Sequence, residues 1–270
     1  MKRVSFADFL PVVAAAVLVS CSGATDSDAE ADSAIQSGER EPLGLMTSLP
    51  IYWPDGAALD DLVNADTQLP WIRTSLEQSY DLAALDTLSL DQDSTQDFEA
   101  EPAQSEQGSA PLAAFDRLMI VQPRGLSPAD NVALDEWVNA GGHLLIALDP
   151  MLAGHYAYPL GDPRNPMMGA LIPPVVERWG LSISFDIQQP LELQSFDYDG
   201  GTLPMVMSGQ IALEPEGEGA CLLDADDRMA TCVIGEGRVT LVADATLFET
   251  TERSDKGEKH LQDLLAKAFN

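Results

Sequence analysis

The stretch between residues 118 and 150 constrains the fold more than any other part of the sequence. Two apolar runs, at residues 118–121 and after Gly142, predict buried strands. Between them, Ser127-Pro128-Ala129-Asp130 has the order of residues that begins a helix, and Gly141-Gly142 is suited to ending one. A strand, a helix and a strand within about 30 residues predict a right-handed βαβ unit, and therefore a parallel sheet.

Weaker patterns on either side extend this α/β arrangement. Residues 43–49 form a mostly apolar run between two prolines, which predicts a first buried strand, and a helix is expected from Pro70. Beyond Pro190, short β-like runs alternate with Gly-Gly, Asp-Asp and Gly-Glu-Gly turns before a final amphipathic helix. We therefore expect one α/β domain over residues 43–270, mostly parallel in its sheet and rich in β-strands towards its C-terminus.

The N-terminus has the pattern of a secretory signal. A basic start at Lys2 and Arg3 precedes an apolar stretch over residues 9–19, which is shorter than the roughly 20 residues that span a bilayer. The following Leu-Val-Ser-Cys, ending at Cys21, resembles a bacterial lipobox. We expect residues 1–20 to be a lipoprotein signal peptide and Cys21 to carry the lipid. An ordinary signal peptide is the alternative.

Two acidic segments predict unstructured chain. Residues 21–42 are expected to be a disordered acidic tether, and residues about 91–110 a solvated insertion loop in the domain. The whole chain has 44 acidic and 14 basic residues, a net charge of -30, which repels nucleic acid. We expect a periplasm-facing lipoprotein of the bacterial cell envelope, placed in the outer membrane because Ser22 follows the lipidated cysteine. Its expected partners are the membrane, through the lipid, and an envelope or transporter protein.

Two cysteines remain for a disulfide in this oxidising compartment. If the chain turns at Asp226-Asp227, Cys221 and Cys232 lie directly opposite each other on paired strands. Facing positions in a sheet bring Cβ atoms to about 4.5–5.5 Å, where a bridge can form. The sequence therefore predicts a disulfide between Cys221 and Cys232.

The stretch "LSPADNVALDEWVNAGGHLLIALDP" resembles the auxiliary domain of uncharacterised ABC-type transport systems, a group that includes the gliding-motility auxiliary proteins. "LMTSLPIYW", "GDPRNPMMGALIPPVVERWGLSI" and "GRVTLVADATLF" agree with it, so the resemblance covers most of residues 43–250. It implies a flavodoxin-like domain related to class I glutamine amidotransferases, without settled chemistry of its own, and a role beside a transport system.

The amidotransferase relatives place a cysteine nucleophile on a tight turn after a strand. The equivalent turn here, residues 122–126, contains neither cysteine nor serine, and the hydroxyl of Ser127 is expected to cap the helix. His155 with Asp149 and Asp162 is an alternative site, although the three histidines have no metal-ligand spacing. We predict no catalytic residue, no metal site and no cofactor.

Five residues are expected at the carboxyl edge of the sheet, where α/β proteins bind ligands: Tyr52, Trp53, Arg124, Asp149 and Asp244. The two aspartates could hold a cation or a hydroxylated ligand, or could cap turns. Tyr52 and Trp53 could stack a sugar or a peptide, and Arg124 is expected to project towards Asp149 and contact a partner. The sequence thus favours a non-catalytic binding or assembly protein. A metal-assisted hydrolase and a sugar- or peptide-binding module are the alternatives.

Overall fold

The computed structural model describes residues 40–57, 68–90 and 111–270. The predictions for the signal peptide, for Cys21, for the tether up to residue 39 and for the insertion loop at 91–110 lie outside the described residues.

A seven-stranded sheet forms the centre of the described part. Its strands are, in spatial order, β2 (Tyr80–Ala84), β1 (Glu41–Thr47), β3 (Arg117–Val121), β4 (His143–Ala147), β11 (Gly237–Val242), β10 (Met229–Ile234) and β9 (Ala220–Asp224). Every pairing among the first five strands is parallel, whereas β10 pairs antiparallel with both β11 and β9. The predicted α/β class, with a mostly parallel sheet and a β-rich C-terminal part, is therefore confirmed.

In the described ranges, four further strands form two small antiparallel pairs beside this sheet, and five helices lie around it. The pairs are β5 (Leu181–Ser184) with β8 (Gln210–Leu213), and β6 (Gln194–Tyr198) with β7 (Gly201–Met205). The helices are α1 (Trp71–Ser79), α2 (Pro128–Asn139), α3 (Pro174–Arg178), α4 (Thr246–Glu249) and α5 (Asp255–Phe269), with a short 3₁₀ turn at Pro111–Ala114. Within the described ranges, no helix is long and apolar enough to cross a membrane.

The first strand begins at Glu41, two residues before the expected start of the domain. Glu41 and Pro42 are part of the strand because they lie opposite Tyr80 and Asp81 of β2.

Both faces of the parallel sheet are buried. Met119 and Val121 of β3 face a core shared with α1 and α5, while Leu118 and Ile120 face a core shared with α2 and α3. A strand covered on both faces needs apolar residues at successive positions, which explains the unbroken apolar runs of β3 and β4. The predicted βαβ unit is confirmed, since β3 and β4 are parallel neighbours joined by α2.

The predicted disulfide is also confirmed. Cys221 of β9 lies opposite Cys232 of β10, their Cα atoms are 4.0 Å apart, and they are bonded to each other. The chain turns between these strands through three residues with positive φ, Ala225, Asp226 and Asp227.

Candidate functional site at the carboxyl edge of the sheet

The turn after β3 is organised by Gln122, which is completely buried and has a φ of 46°. This left-handed conformation is uncommon for a residue other than glycine and costs of order 1–3 kcal/mol. The side-chain amide is used in full: Oε1 accepts a hydrogen bond from the Asp149 backbone N–H at 2.8 Å, and Nε2 donates to the Asp149 carbonyl at 3.0 Å and to the Met167 carbonyl at 2.7 Å. Gln122 therefore ties the ends of two strands to a distant segment.

The family resemblance drawn from the sequence led us to expect that class I glutamine amidotransferases carry their nucleophile on a tight turn of this kind. Here the position holds an amide that is neither nucleophilic nor free. The sequence pattern indicated this turn but not the role of Gln122. The available signal was a polar residue that ends an apolar strand directly before a proline, Pro123.

The start of α2 has the predicted cap. Ser127 Oγ accepts from the Asp130 backbone N–H at 3.0 Å, and Asp130 Oδ2 accepts from the Ser127 N–H at 3.1 Å, so a complete capping box is present. Asp130 Oδ1 also accepts from the backbone N–H groups of Leu88 and Ser89. Burial alone would raise the pKa of Asp130, but the hydrogen bonds, of which that from Ser127 is the strongest, lower it to about 2. The hydroxyl of Ser127 is committed to this structural network.

The gap between the ends of β1 and β3 is filled by the chain itself. Ser48, just after β1, accepts a hydrogen bond through Oγ from the Met167 backbone N–H at 3.0 Å and donates to the Gln122 carbonyl at 2.5 Å. Because Gln122 Nε2 donates to the Met167 carbonyl, both polar backbone groups of Met167 are held at this position. Ligands of open α/β proteins bind where neighbouring connections leave in opposite directions, so a backbone segment takes that place here.

The two predicted aspartates lie where expected, and both are buried. Asp149 follows Leu148, just after β4, and Asp244 follows Ala243, just after β11. Asp149 accepts from the N–H groups of Met151 at 2.8 Å and Ala245 at 3.0 Å. Asp244 accepts from those of Thr246 at 2.7 Å and Val206 at 3.1 Å. All four carboxylate oxygens therefore hold turns in place, which agrees with the capping alternative.

These two carboxyl groups have altered acidity. Burial, with a smaller contribution from the charge of Glu249, raises the pKa of Asp149 to about 7, although the hydrogen bonds from Met151 and Ala245 lower it. Burial also raises the pKa of Asp244 well above its usual value, and the charge of Asp149 adds to this effect. Two neighbouring buried carboxylates resist being ionised together.

The alternative site around His155 is not assembled. His155 is exposed, and Asp162 forms a salt bridge with Arg164 at 2.8 Å. Across the described ranges, no group of three or more histidine, cysteine, aspartate or glutamate side chains is placed to hold a metal ion. The arrangement offers no ligand set for the metal-assisted hydrolase.

Arg124 is exposed and does not meet Asp149. In the described part of the chain it forms no salt bridge, and both oxygens of Asp149 are taken by backbone N–H groups. Arg124 instead lines an open groove of about 320 Å³ together with Leu160, Met167 and Met168. The expected approach of Arg124 to Asp149 fails because the turn after β4 folds over that carboxylate.

Tyr52 and Trp53 line a different part of the edge, beyond the ends of β1 and β2. Their rings meet edge to face, with centroids 5.4 Å apart and planes at 73°. They border a cleft of about 360 Å³, here called the aromatic cleft, and its other polar or aromatic lining residues are Thr47, Ser48, Asp55, Asp86, Tyr158 and Arg164. The sequence indicated Tyr52 and Trp53 but gave no sign of the partners that the fold brings to them.

Comparison with known proteins adds a family. The model of the family described as "ABC-type uncharacterized transport system" matches residues 40–194, more than half of the 270-residue chain. No curated protein matches the chain.

Similar solved structures include a beta-galactosidase from Bacillus circulans sp. alkalophilus (10% identity, TM-score 0.45, 84% of this chain and 31% of that one) and a beta-galactosidase from Rahnella (13%, 0.45, 84% and 31%). An exo-beta-1,4-mannosidase from an Opitutaceae bacterium is 14% identical, with a TM-score of 0.41, over 84% of this chain and 34% of that one. This chain spans about a third of the length of these enzymes. Such distant likenesses carry no conclusion about activity, whereas the match over residues 40–194 does define a family: the chain belongs to the family of the ABC-type uncharacterized transport system.

Proposed function

We propose that this protein is a non-catalytic, lipid-anchored envelope protein that acts as an auxiliary binding component of an ABC-type transport system. The observation that carries the non-catalytic part is the turn at Gln122. A nucleophile there would need a reactive side chain and a base within hydrogen-bond reach. Instead, the Gln122 amide is buried and fully bonded to Asp149 and Met167.

A flavodoxin-like domain is part of this proposal. The five parallel strands have the spatial order β2-β1-β3-β4-β11, which matches the order 2-1-3-4-5 of flavodoxin-like sheets if β11 takes the fifth place. The two C-terminal strands β10 and β9 extend that sheet. The same order supports a relationship to class I glutamine amidotransferases, whose nucleophile turn this chain would have converted to a structural role.

The anchor and the location are proposed from the sequence. The Leu-Val-Ser-Cys segment supports removal of residues 1–20 and lipidation of Cys21, and Ser22 supports the outer membrane. A single acyl chain binds membranes only marginally, so stable attachment depends on the several chains of a bacterial lipoprotein.

Membrane fractionation of the full-length chain tests the anchor. We expect the wild-type protein in the membrane pellet, and Cys21→Ser should release it or block removal of residues 1–20. Ser22→Ala is the matched control and should stay attached. A wild-type protein that begins at Met1 and sediments no better than Cys21→Ser would refute lipidation.

Affinity purification of the lipidated, C-terminally tagged protein from detergent-solubilised native membranes tests the partner. We expect the permease or ATPase subunit of one ABC-type transporter to be enriched, in equal amount with the wild type and with Ser127→Ala. Arg124→Glu should reduce that enrichment, since Arg124 is exposed and no described residue pairs with it. Recovery of no transporter subunit would contradict the auxiliary role.

A further inference from the structure

Trp53 is used differently from the other three tryptophans of the chain. The indole N–H groups of Trp71, Trp137 and Trp179 all donate hydrogen bonds, to the carbonyls of Thr250 and Phe115 and to the carboxylate of Asp135. Trp53 is 46% exposed, and its indole N–H donates to no described residue. A large aromatic ring that stays half exposed, has no hydrogen-bond partner among the described residues and borders a cleft is suited to contact a ligand.

The aromatic pair is fixed in place before any ligand arrives. The Arg73 guanidinium lies 4.2 Å from the ring centroid of Tyr52 and 5.1 Å from that of Trp53. Arg73 is itself held by Glu77 at 2.8 Å and by the Tyr52 carbonyl at 2.9 Å, and it does not line the aromatic cleft. A preorganised ring pair of this kind loses little entropy on binding.

The charge of the aromatic cleft is negative. Its one arginine, Arg164, is paired with Asp162, whereas Asp55 and Asp86 form no salt bridge with any described residue. The chain as a whole carries a net charge of -30. A cleft with an excess of negative charge raises the local concentration of cations.

A cation already stacks on an aromatic ring in this cleft. The guanidinium of Arg164 lies 3.9 Å from the ring centroid of Tyr158, although the Arg164 side chain is 64% exposed. Positive groups are attracted to the faces of Trp and Tyr rings, and the attraction strengthens where water is excluded.

We propose that the aromatic cleft binds an organic cation, an ammonium or guanidinium group carried on apolar atoms. Trp53 and Tyr52 supply ring surface, Tyr158 supplies a third ring, and the carboxylates of Asp55 and Asp86 supply the opposite charge. The volume of about 360 Å³ lies within the range of small-ligand sites. Two kinds of molecule carry such a cation: a free alkylammonium solute and a partner protein with a basic side chain. Both would make the same contacts with the aromatic rings.

Calorimetric titration of the purified full-length chain tests the site without any transporter, so its outcome is independent of the auxiliary role. The probes are choline, its neutral isostere 3,3-dimethylbutan-1-ol, N-acetyl-arginine amide and cellobiose. We expect at least one cation to bind about tenfold more tightly than the neutral isostere. If choline binds more tightly than N-acetyl-arginine amide, the ligand is a free solute. If N-acetyl-arginine amide binds more tightly, the ligand is a basic side chain of a partner protein.

Variants locate the binding. Trp53→Ala should weaken the cation by about tenfold, Trp53→Phe by less, and Asp86→Asn should weaken it while leaving folding intact because Asp86 is exposed. Arg164→Ala should strengthen binding, since it removes the resident guanidinium. Lys259→Ala, which removes an exposed cation outside the cleft, is the control and should change nothing.

Two outcomes would overturn the site: equal affinity for the neutral isostere, or no saturable binding of either cation, whether or not cellobiose binds. Cation binding that survives unchanged in both Trp53→Ala and Asp86→Asn would place it elsewhere and would equally reject the proposal.

Discussion

Two neighbouring parts of one sheet edge use their polar side chains in opposite ways. At the ends of β3, β4 and β11, the side chains of Gln122, Asp149 and Asp244 are buried and bonded to backbone groups. Beyond β1 and β2, Trp53 and Asp86 are exposed, and neither side chain forms a hydrogen bond with a buried group of the described residues. A residue's position at the carboxyl edge of the sheet is therefore weak evidence for a ligand site. An exposed side chain that is not hydrogen-bonded to the backbone is better evidence.

The difference has an energetic basis. A buried polar group without a hydrogen-bond partner costs about 1–3 kcal/mol of folding free energy. Gln122, Asp149 and Asp244, here called the inner edge, avoid this cost because each bonds at least two backbone groups. The exposed groups of the aromatic cleft are hydrated in the absence of a ligand and can exchange water for one at little cost. Substitutions should thus change stability at the inner edge and binding at the cleft.

The largest expected effect is that of Gln122→Ala. It removes the side-chain partners of the Asp149 N–H, the Asp149 carbonyl and the Met167 carbonyl. We expect a loss of about 3 kcal/mol in the free energy of unfolding, measured by urea denaturation. Arg124→Ala, two residues away and exposed, should change it by less than about 0.5 kcal/mol. Equal effects of the two substitutions would remove the distinction between the two parts of the edge.

A second effect concerns pH. Burial raises the pKa of Asp149 from 3.8 to about 7, so the folded protein binds a proton more tightly than the unfolded chain does. The resulting stabilisation is complete below about pH 4 and is lost as the pH rises to about 7. We expect the free energy of unfolding to fall between pH 4 and pH 8.

Asp149→Asn should flatten this pH dependence, even though it lowers stability by losing one backbone hydrogen bond. The comparison is therefore between slopes of unfolding free energy against pH. An unchanged slope in the variant would show that other groups cause the dependence.

Smaller effects on stability are expected at the helix cap and in the aromatic cleft. Ser127→Ala removes the bond to the Asp130 N–H and should cost about 1 kcal/mol, whereas Trp53→Ala should cost less than about 0.5 kcal/mol because its ring is 46% exposed. We also expect no labelling of the wild-type protein by serine-directed fluorophosphonate probes. Wild-type labelling that disappears in a folded Ser127→Ala protein would show that the turn is catalytic.

The features that the sequence predicted correctly depend on residues close together in the chain. The start of α2 is encoded within Ser127–Asp130, and the disulfide between Cys221 and Cys232 spans 11 residues with one turn between them. Local turn and cap chemistry determines both, so a pattern of a few residues was sufficient.

The features that the sequence missed depend on distant contacts. Met167 is 45 residues from Gln122, and Val206, which donates to Asp244, is 38 residues from it. Nothing near Asp244 in the sequence distinguishes a turn-capping carboxylate from one that binds a ligand. Asp86, Tyr158 and Trp53 likewise meet only through the fold, so the aromatic cleft has no continuous motif.

The length of the Gln122 side chain has a consequence for the end of the sheet. The Gln122 backbone N–H bonds the Ala147 carbonyl at 2.9 Å, and two residues further along, the side-chain amide bonds both the N–H and the carbonyl of Asp149. The side-chain amide thus takes the place of a backbone peptide group. It extends the hydrogen bonding between β3 and β4 by one more residue of β4 without any additional main chain in β3. Gln122→Asn keeps the amide but withdraws it by one carbon–carbon bond, about 1.5 Å. This chemically mild replacement should therefore remove the side-chain hydrogen bonds to the Asp149 N–H and carbonyl, and so release the loop that begins at Asp149.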